Sequence, residues 1–464
     1  MPEFHDKRGL GLTMASQAAA AAHDHLVDSY VGFRRDTGPR LKVAMQADPE
    51  APMNQCMAGY IFHLMVVGPS LERAAAASSK ATALAEAHGN AREKFHAAAL
   101  AAWTNGEIGT AAGLLEGVLL QWPLDIAALK LVHYLHFYLG NVAEHRDSVA
   151  RVMPAWTDDT PGFANVLGMR AFGLEEAGHY AEAERIGRRA VELDPTDAWA
   201  VHAVAHVLEM QGRAREGIYW IEREEASWAS KVHNFANHVW WHKALYHLEL
   251  GEHDAVLDLY DNAFRAEETD DGLDIANAAA MLTRLKIRDV DCGPRWDRLA
   301  DVSATKANEH ILPFNDLHII LALSGAGEDA KAVASCSSIA SHGGATGGTW
   351  GPVYRDVARP MADGIAAYGA GDYAGAAAKL SSVRYKWSAI GGSHAQRDVF
   401  QQLLIDATIQ SGNMRQAKAL LAERTGLKSR SGFDWGRLAD AASATGDTTT
   451  AAKASAEALR LKAG

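Results

Sequence analysis

The stretch GHYAEAERIGRRAVELDP, residues 178–195, opens on a glycine, places Ala183 five residues later and Ala190 seven beyond that, and ends in Pro195. A glycine followed five residues on by a small residue recurs as Gly106 with Ala111, Gly212 with Gly217, Gly325 with Ala330, Gly371 with Ala376, Gly412 with Ala417 and Gly446 with Ala451. Gly140 and Gly251 sit at turns with a looser match behind them. Each glycine ends one helix, where a left-handed residue is needed and a side chain would be strained. The small residue falls one turn into the next helix and lets the two approach closely. One such hairpin cannot bury its apolar stripe alone, so it stacks on its neighbours.

Gly178 and Gly212 are 34 residues apart, the spacing of the tetratricopeptide class, while other intervals are longer and less regular. The expected fold is therefore all-α: an α–α superhelix, or tetratricopeptide-like solenoid, of roughly ten or eleven degenerate hairpins. Residues 1–53 supply one helix over 13–34 and an approach loop. The first subarray covers 54–340, and 353–464 hold the C-terminal repeats that close the array. Residues 288–311 lengthen one junction. The glycine-rich SHGGATGGTWGP, 341–352, lacks the lysine of a phosphate-binding loop and ends in proline, so it reads as a flexible connector.

The chain has 464 residues, 48% of them apolar, and a net charge of -12. That balance argues against a nucleic-acid partner, which calls for a basic footprint. Cys56, Cys292 and Cys336 show no CxxC spacing, so neither a disulfide framework nor a cysteine zinc cluster is expected. No uninterrupted apolar run of about 18 residues appears, so no membrane span is expected and the reading is cytoplasmic.

The second decisive stretch is AWAVHAVAHVLEMQG, 198–212, which puts His202, His206 and Glu209 at separations of four and three on one helix face. Resemblance to the tetratricopeptide class implies that residues ten, six and three before each turn glycine look into the groove. Counted from Gly212 these are His202, His206 and Glu209. Gly106 selects His96 and Trp103, Gly140 selects Lys130 and Tyr134, Gly178 selects Phe172 and Glu175, and Gly251 selects Trp241. His238 and His242 share a face of the next helix. Asn315 lies ten before Gly325, beside Asp316 and His318, and Arg397 with Asp398 opens a later helix.

Three chemical readings stay open. His202, His206 and Glu209 could chelate a divalent metal, with His238 or His242 adding a ligand, although HxxxHxxE is not the HExxH signature. The same groups could serve acid–base chemistry in a metal-free small-molecule site, as in a hydrolase or lyase. They could also be buried histidines satisfied by neighbouring carboxylates and backbone. In the ligand-site reading Trp241, Trp103 and Tyr134 wall an apolar part, His96, Glu175, Asn315, Asp316, His318 and Asp398 add polar contacts, and Arg397 anchors an anionic group. No GxSxG elbow supports acyl-enzyme chemistry.

The segments HAVAHVLEMQGR, WWHKALYHLELGEH, LPFNDLH and QRDVFQQLLIDA, in this order, resemble the tetratricopeptide repeat protein 38 family. The resemblance spans most of the chain and implies an all-helical protein with degenerate repeats; it transfers no catalytic residue. The expected function is a pocket for a small polar or anionic molecule. The alternative is a non-catalytic scaffold holding a peptide or protein in the groove, and the Trp-rich helix over 238–250 equally suits a homodimer face.

Overall fold

A computed structural model describes residues 3–463. Among the described residues the fold is all-α, of the α–α superhelix class, apart from one small β-hairpin in which Glu3–His5 pairs antiparallel with Gly11–Thr13. That hairpin consumes the start of the expected 13–34 helix, which runs instead over Gln17–Val31 behind a Ser16 cap. A further helix, Thr37–Ala47, occupies much of the expected approach loop. From Pro52–Leu64 with Gly68–His88 to Gly432–Ala444 with Thr448–Ala463, eleven helix–turn–helix pairs follow one another.

The turn glycines do what their spacing requires. Gly178, Gly212, Gly251, Gly371, Gly412 and Gly446 have φ between +63° and +81°. At Gly212 its own N–H donates to Glu209 O at 2.9 Å and the Arg213 N–H to Leu208 O at 2.8 Å, which closes the last helical turn. The small residue five positions on is equally physical. A Cβ on Gly217 would lie 2.2 Å from the Tyr246 ring, so only glycine lets the tyrosine pack there and donate its hydroxyl to Ala205 O.

Three expectations need correction. Gly325 is the last residue of the Pro313–Gly325 helix, and Gly327, at φ +76°, makes the turn. Gly325 is small for a different reason: a Cβ there would lie 2.1 Å from the Trp296 ring. Second, the stretch over 341–352 is only partly a loop, because the Asp329–Ala345 helix runs through its first half. Third, the junction over 288–311 contains the helix Arg295–Ala304, the partner of Gly272–Lys286.

The chain forms two compact units. One takes residues up to Val204, Glu224–Ala236 and Thr346–Gly351; the other takes Ala205–Arg223, Asn237–Ala345 and the chain from Pro352 on. In the first, the buried Lys130 ammonium lies 4.1 Å from the Phe33 ring centroid and 4.2 Å from that of Trp199, a cation held by aromatic faces. In the second, Val239, Met281, Leu317, Phe400 and Leu404 form the apolar core around which the charged groups below are arranged.

Candidate functional site

The second unit holds a small cavity of about 50 Å³ lined by Glu209, Glu249, Arg284, Arg288, Asp398 and Lys428, with Gln402, Arg424, Arg430 and Ser431 completing its polar wall. Local sequence sets each side chain. Ser393 caps the His394–Gln410 helix in a reciprocal box with Gln396, which fixes Asp398 and Gln402 one turn apart on its inner face. Asp271 caps the Gly272–Lys286 helix, whose last two turns carry Arg284 and lead into Arg288. Arg424 ends the Met414–Leu427 helix, and Lys428 is its C-cap residue, where cations favour the carbonyl end.

The charges form one network. Arg424 Nε donates to Asp434 at 2.6 Å and its Nη1 to Asp398 at 2.6 Å, while Lys428 Nζ donates to Glu209 Oε1 at 2.8 Å. Burial would raise the Asp398 carboxyl, but Arg424 and Lys428 outweigh it and hold the group well below the carboxylate range. Burial likewise opposes the charge on Arg424 and Lys428, and their carboxylate partners raise both above their ordinary values. Arg284 and Arg288 are compensated less. Burial lowers Arg284 to about 10 and lowers Arg288 as well. Arg284 has Asp398 only at 3.9 Å and donates to the Ala395 carbonyl at 2.8 Å; Arg288 donates to Gln402 at 3.1 Å and stacks on Phe433. Burial pushes the Glu249 carboxyl up, and its Oε1 has no hydrogen-bond partner among the described residues.

A histidine cluster borders this network. The His206 and His242 ring centroids are 4.3 Å apart and those of His238 and His242 4.9 Å, both at steep angles. One nitrogen from each of His206, His238 and His242 lies within 4.8 Å of the others. His238 Nδ1 meets Asn277 Oδ1 at 3.0 Å, and Trp241 stacks on the His238 ring at 5.3 Å. Burial lowers His238 to about 4 and holds His242 well below its ordinary value, so both imidazoles are neutral at pH 7. Glu209 Oε2 stands 3.8 Å from His242 Nδ1, which links the cluster to the cavity. His202, one turn before His206, stands on the part of the Ala198–Met210 helix that belongs to the first unit.

Of the residues expected to form one site, His206, Glu209, His238, Trp241, His242 and Asp398 are brought together. His96 Nε2 contacts Asp125 at 2.9 Å beside Arg92, inside the first unit. Trp103 stacks on His63 at 4.9 Å, Tyr134 faces Lys130, and Glu175 is buried in the Phe163–Glu176 helix, all in that unit as well. In the second unit Asn315 lies against Gly272, Asp316 accepts from the Tyr354 hydroxyl at 2.6 Å, and His318 Nδ1 meets the Phe314 carbonyl at 2.7 Å. The misplaced turn glycine explains this: ten residues before Gly327 is Leu317, not Asn315. Arg397 does not line the cavity, and its Nη1 donates to the Gly391 and Gly392 carbonyls.

Sequence reasoning missed Arg284, Arg288, Arg424, Lys428 and Glu249. Gln402 was within reach, since it lies ten residues before the turn glycine Gly412. Arg424 and Lys428 belong to the second helix of their pair, which the inward-facing count never consults.

No family model matches the sequence. Among solved structures the chain is similar to human IFIT1 in a dimer with m7Gppp-AAAA, at 13% identity over 98% of this chain and 96% of that one, with a TM-score of 0.38. It is also similar to a chain of the APC/C hetero-tetramer Cut9–Hcn1 (11% identity, 97% and 95% covered, TM-score 0.33) and to yeast Tom70 (12%, 96% and 96%, 0.34). At such scores these likenesses assign no function to the chain. Among the described residues no helix is long and apolar enough to cross a membrane.

Proposed function

We propose that the protein binds a small anionic molecule through a carboxylate or phosphate group seated in the second unit's cavity. One observation carries this: two guanidiniums, Arg284 and Arg288, line the cavity with less counter-charge than their burial calls for. A bidentate oxyanion is the partner that guanidinium geometry fits best. Size narrows the class. One water needs roughly 10–15 Å³ by this measure, so about 50 Å³ takes a carboxylate or phosphate head and leaves a larger ligand body outside. The Glu249 carboxyl, which burial raises above its ordinary value, lines the same cavity. The resemblance to the tetratricopeptide repeat protein 38 family belongs to this reading. Three of its four segments, over 202–213, 240–253 and 396–407, supply Glu209, Glu249, Asp398 and Gln402 to the cavity.

The test is thermal unfolding and calorimetric titration with inorganic phosphate and with small dicarboxylates, at matched ionic strength in chloride. A Tm that rises with anion concentration, as binding to the folded state requires, is expected in the parent. It is expected to be absent in Arg288→Gln and reduced in Arg430→Ala, whose exposed side chain can be removed without breaking a buried pair. No shift with either anion class in the parent sinks the reading and leaves a protein or peptide partner as the alternative.

A further inference from the structure

We propose that His206, His238 and His242 form a site for a divalent transition metal of the zinc and cobalt class, beside the anion cavity and with its own ligand set. The ligand set departs from the sequence expectation. Glu209 is engaged by Lys428 at 2.8 Å and acts as a charge partner, so the donors are three imidazoles from two helices.

Geometry supports convergence on one point. Three donors no more than 4.8 Å apart lie within about 2.8 Å of a common centre, against zinc–nitrogen bonds of about 2.0–2.1 Å. Small ring rotations cover that difference. His206 sits near the end of the Ala198–Met210 helix, while His238 and His242 are one turn apart on Phe235–Glu249, so the backbone fixes all three. All three side chains are buried, which excludes competing water.

The outer contacts are those a metal-ligating histidine uses. His238 Nδ1 meets Asn277 Oδ1 at 3.0 Å, the kind of outer contact that orients a metal-ligating histidine while its other nitrogen coordinates. Asn277 is itself buried on the Gly272–Lys286 helix, so this orientation is built into the core. Imidazole donors suit zinc and cobalt, and softer thiolate donors are absent from the cluster among the described residues, which disfavours copper(I). The competing account is an aromatic cluster in which Trp241 and the imidazoles simply fill the core.

The test uses the full chain, stripped with a chelator and titrated with Co(II), then with Zn(II) in competition. One equivalent of Co(II) per chain, with the intense visible absorption of a four-coordinate nitrogen site and displacement by Zn(II), is expected. His242→Gln is expected to abolish the spectrum, and Asn277→Leu, which leaves every ligand in place, to weaken affinity by about 10–100-fold. Circular dichroism identifies a variant that fails to fold, and the Asn277→Leu result then carries the decision. No cobalt spectrum in the folded parent overturns the proposal, and so does binding unchanged in both variants. Phosphate titration of the stripped protein reads the anion cavity separately, so either reading can fail alone.

Discussion

Arg424 shows how much one buried residue can hold together. It is 3% exposed and bridges Asp398 and Asp434, both buried, with three charge-assisted bonds of 2.6 to 3.2 Å. Replacing it with methionine leaves two carboxylates in low dielectric with Lys428 and Arg284 as distant partners. The expected cost is about 3–5 kcal/mol, the range for breaking a buried ion pair from one side. Urea unfolding of Arg424→Met measures this directly, and a loss below about 1 kcal/mol, the worth of a surface pair, would mean the network is solvated. Legibility at this scale follows the same logic. His206, Glu209, His238 and His242 could be read because helical spacing aligns them, and two of those spacings are simple turns. Arg284, Arg288, Arg424 and Lys428 could not, because most arginines and lysines lie in water, and only tertiary packing buries Arg284 and Arg424 and half-buries Arg288 and Lys428. Arg397 reads as an anion anchor from its place at a helix start, yet its guanidinium serves the carbonyls of its own turn.

At the scale of helices, the turn glycines and the packing glycines obey different physics, and one pair separates them. Gly327 has φ +76° and open space around its Cα, so alanine there costs roughly 1–2 kcal/mol of left-handed strain. Gly325 has ordinary helical geometry, but an added methyl meets the Trp296 ring at 2.1 Å. Repacking Trp296 is expected to cost about 1–3 kcal/mol, and to perturb its near-ultraviolet signal, whereas Gly327→Ala leaves that signal intact. If Gly325→Ala proves neutral in both readouts, the contact between the Arg295–Ala304 and Pro313–Gly325 helices is mistaken. The repeat pattern in the sequence located most turns because a left-handed position and a close approach each favour glycine. It failed at 325 because two glycines two residues apart satisfied the same count, and only the second ends the helix. The N-terminal hairpin was missed for a related reason. Three-residue strands are too short to show an alternating pattern.

Across the whole molecule, buried neutral histidines set the acid limit of stability. Burial lowers His23, His63 and His318 to about 4 and His145 to about 3, from an ordinary 6.5. The folded pKa is depressed in each case, so the unfolded chain takes up the proton first and stability is lost as pH falls from 6.5 toward 4. Each such group contributes a slope of up to about 1.4 kcal/mol per pH unit within that window. Buried carboxyls work the other way, Asp197 at about 6 and, in direction, Glu249 and Asp24 among them. Burial raises Asp274 to about 6, so the folded state takes that proton first and gains stability between about 6 and 4. With His238 also lowered to about 4, five imidazoles outweigh Asp274 and Asp197 and leave a net loss of several kcal/mol over two pH units, comparable with the whole stability of an ordinary domain. The strongly paired Asp125 and Asp398, held below their ordinary range by Arg92 and Arg424, withstand protonation until the pH is lower still. Thermal unfolding in a pH series is therefore expected to show Tm falling steeply between pH 6.5 and 4.5. A Tm that stays level to pH 4.5 and drops only below it would assign acid sensitivity to the carboxylate pairs and show that these imidazoles reach water in the folded state.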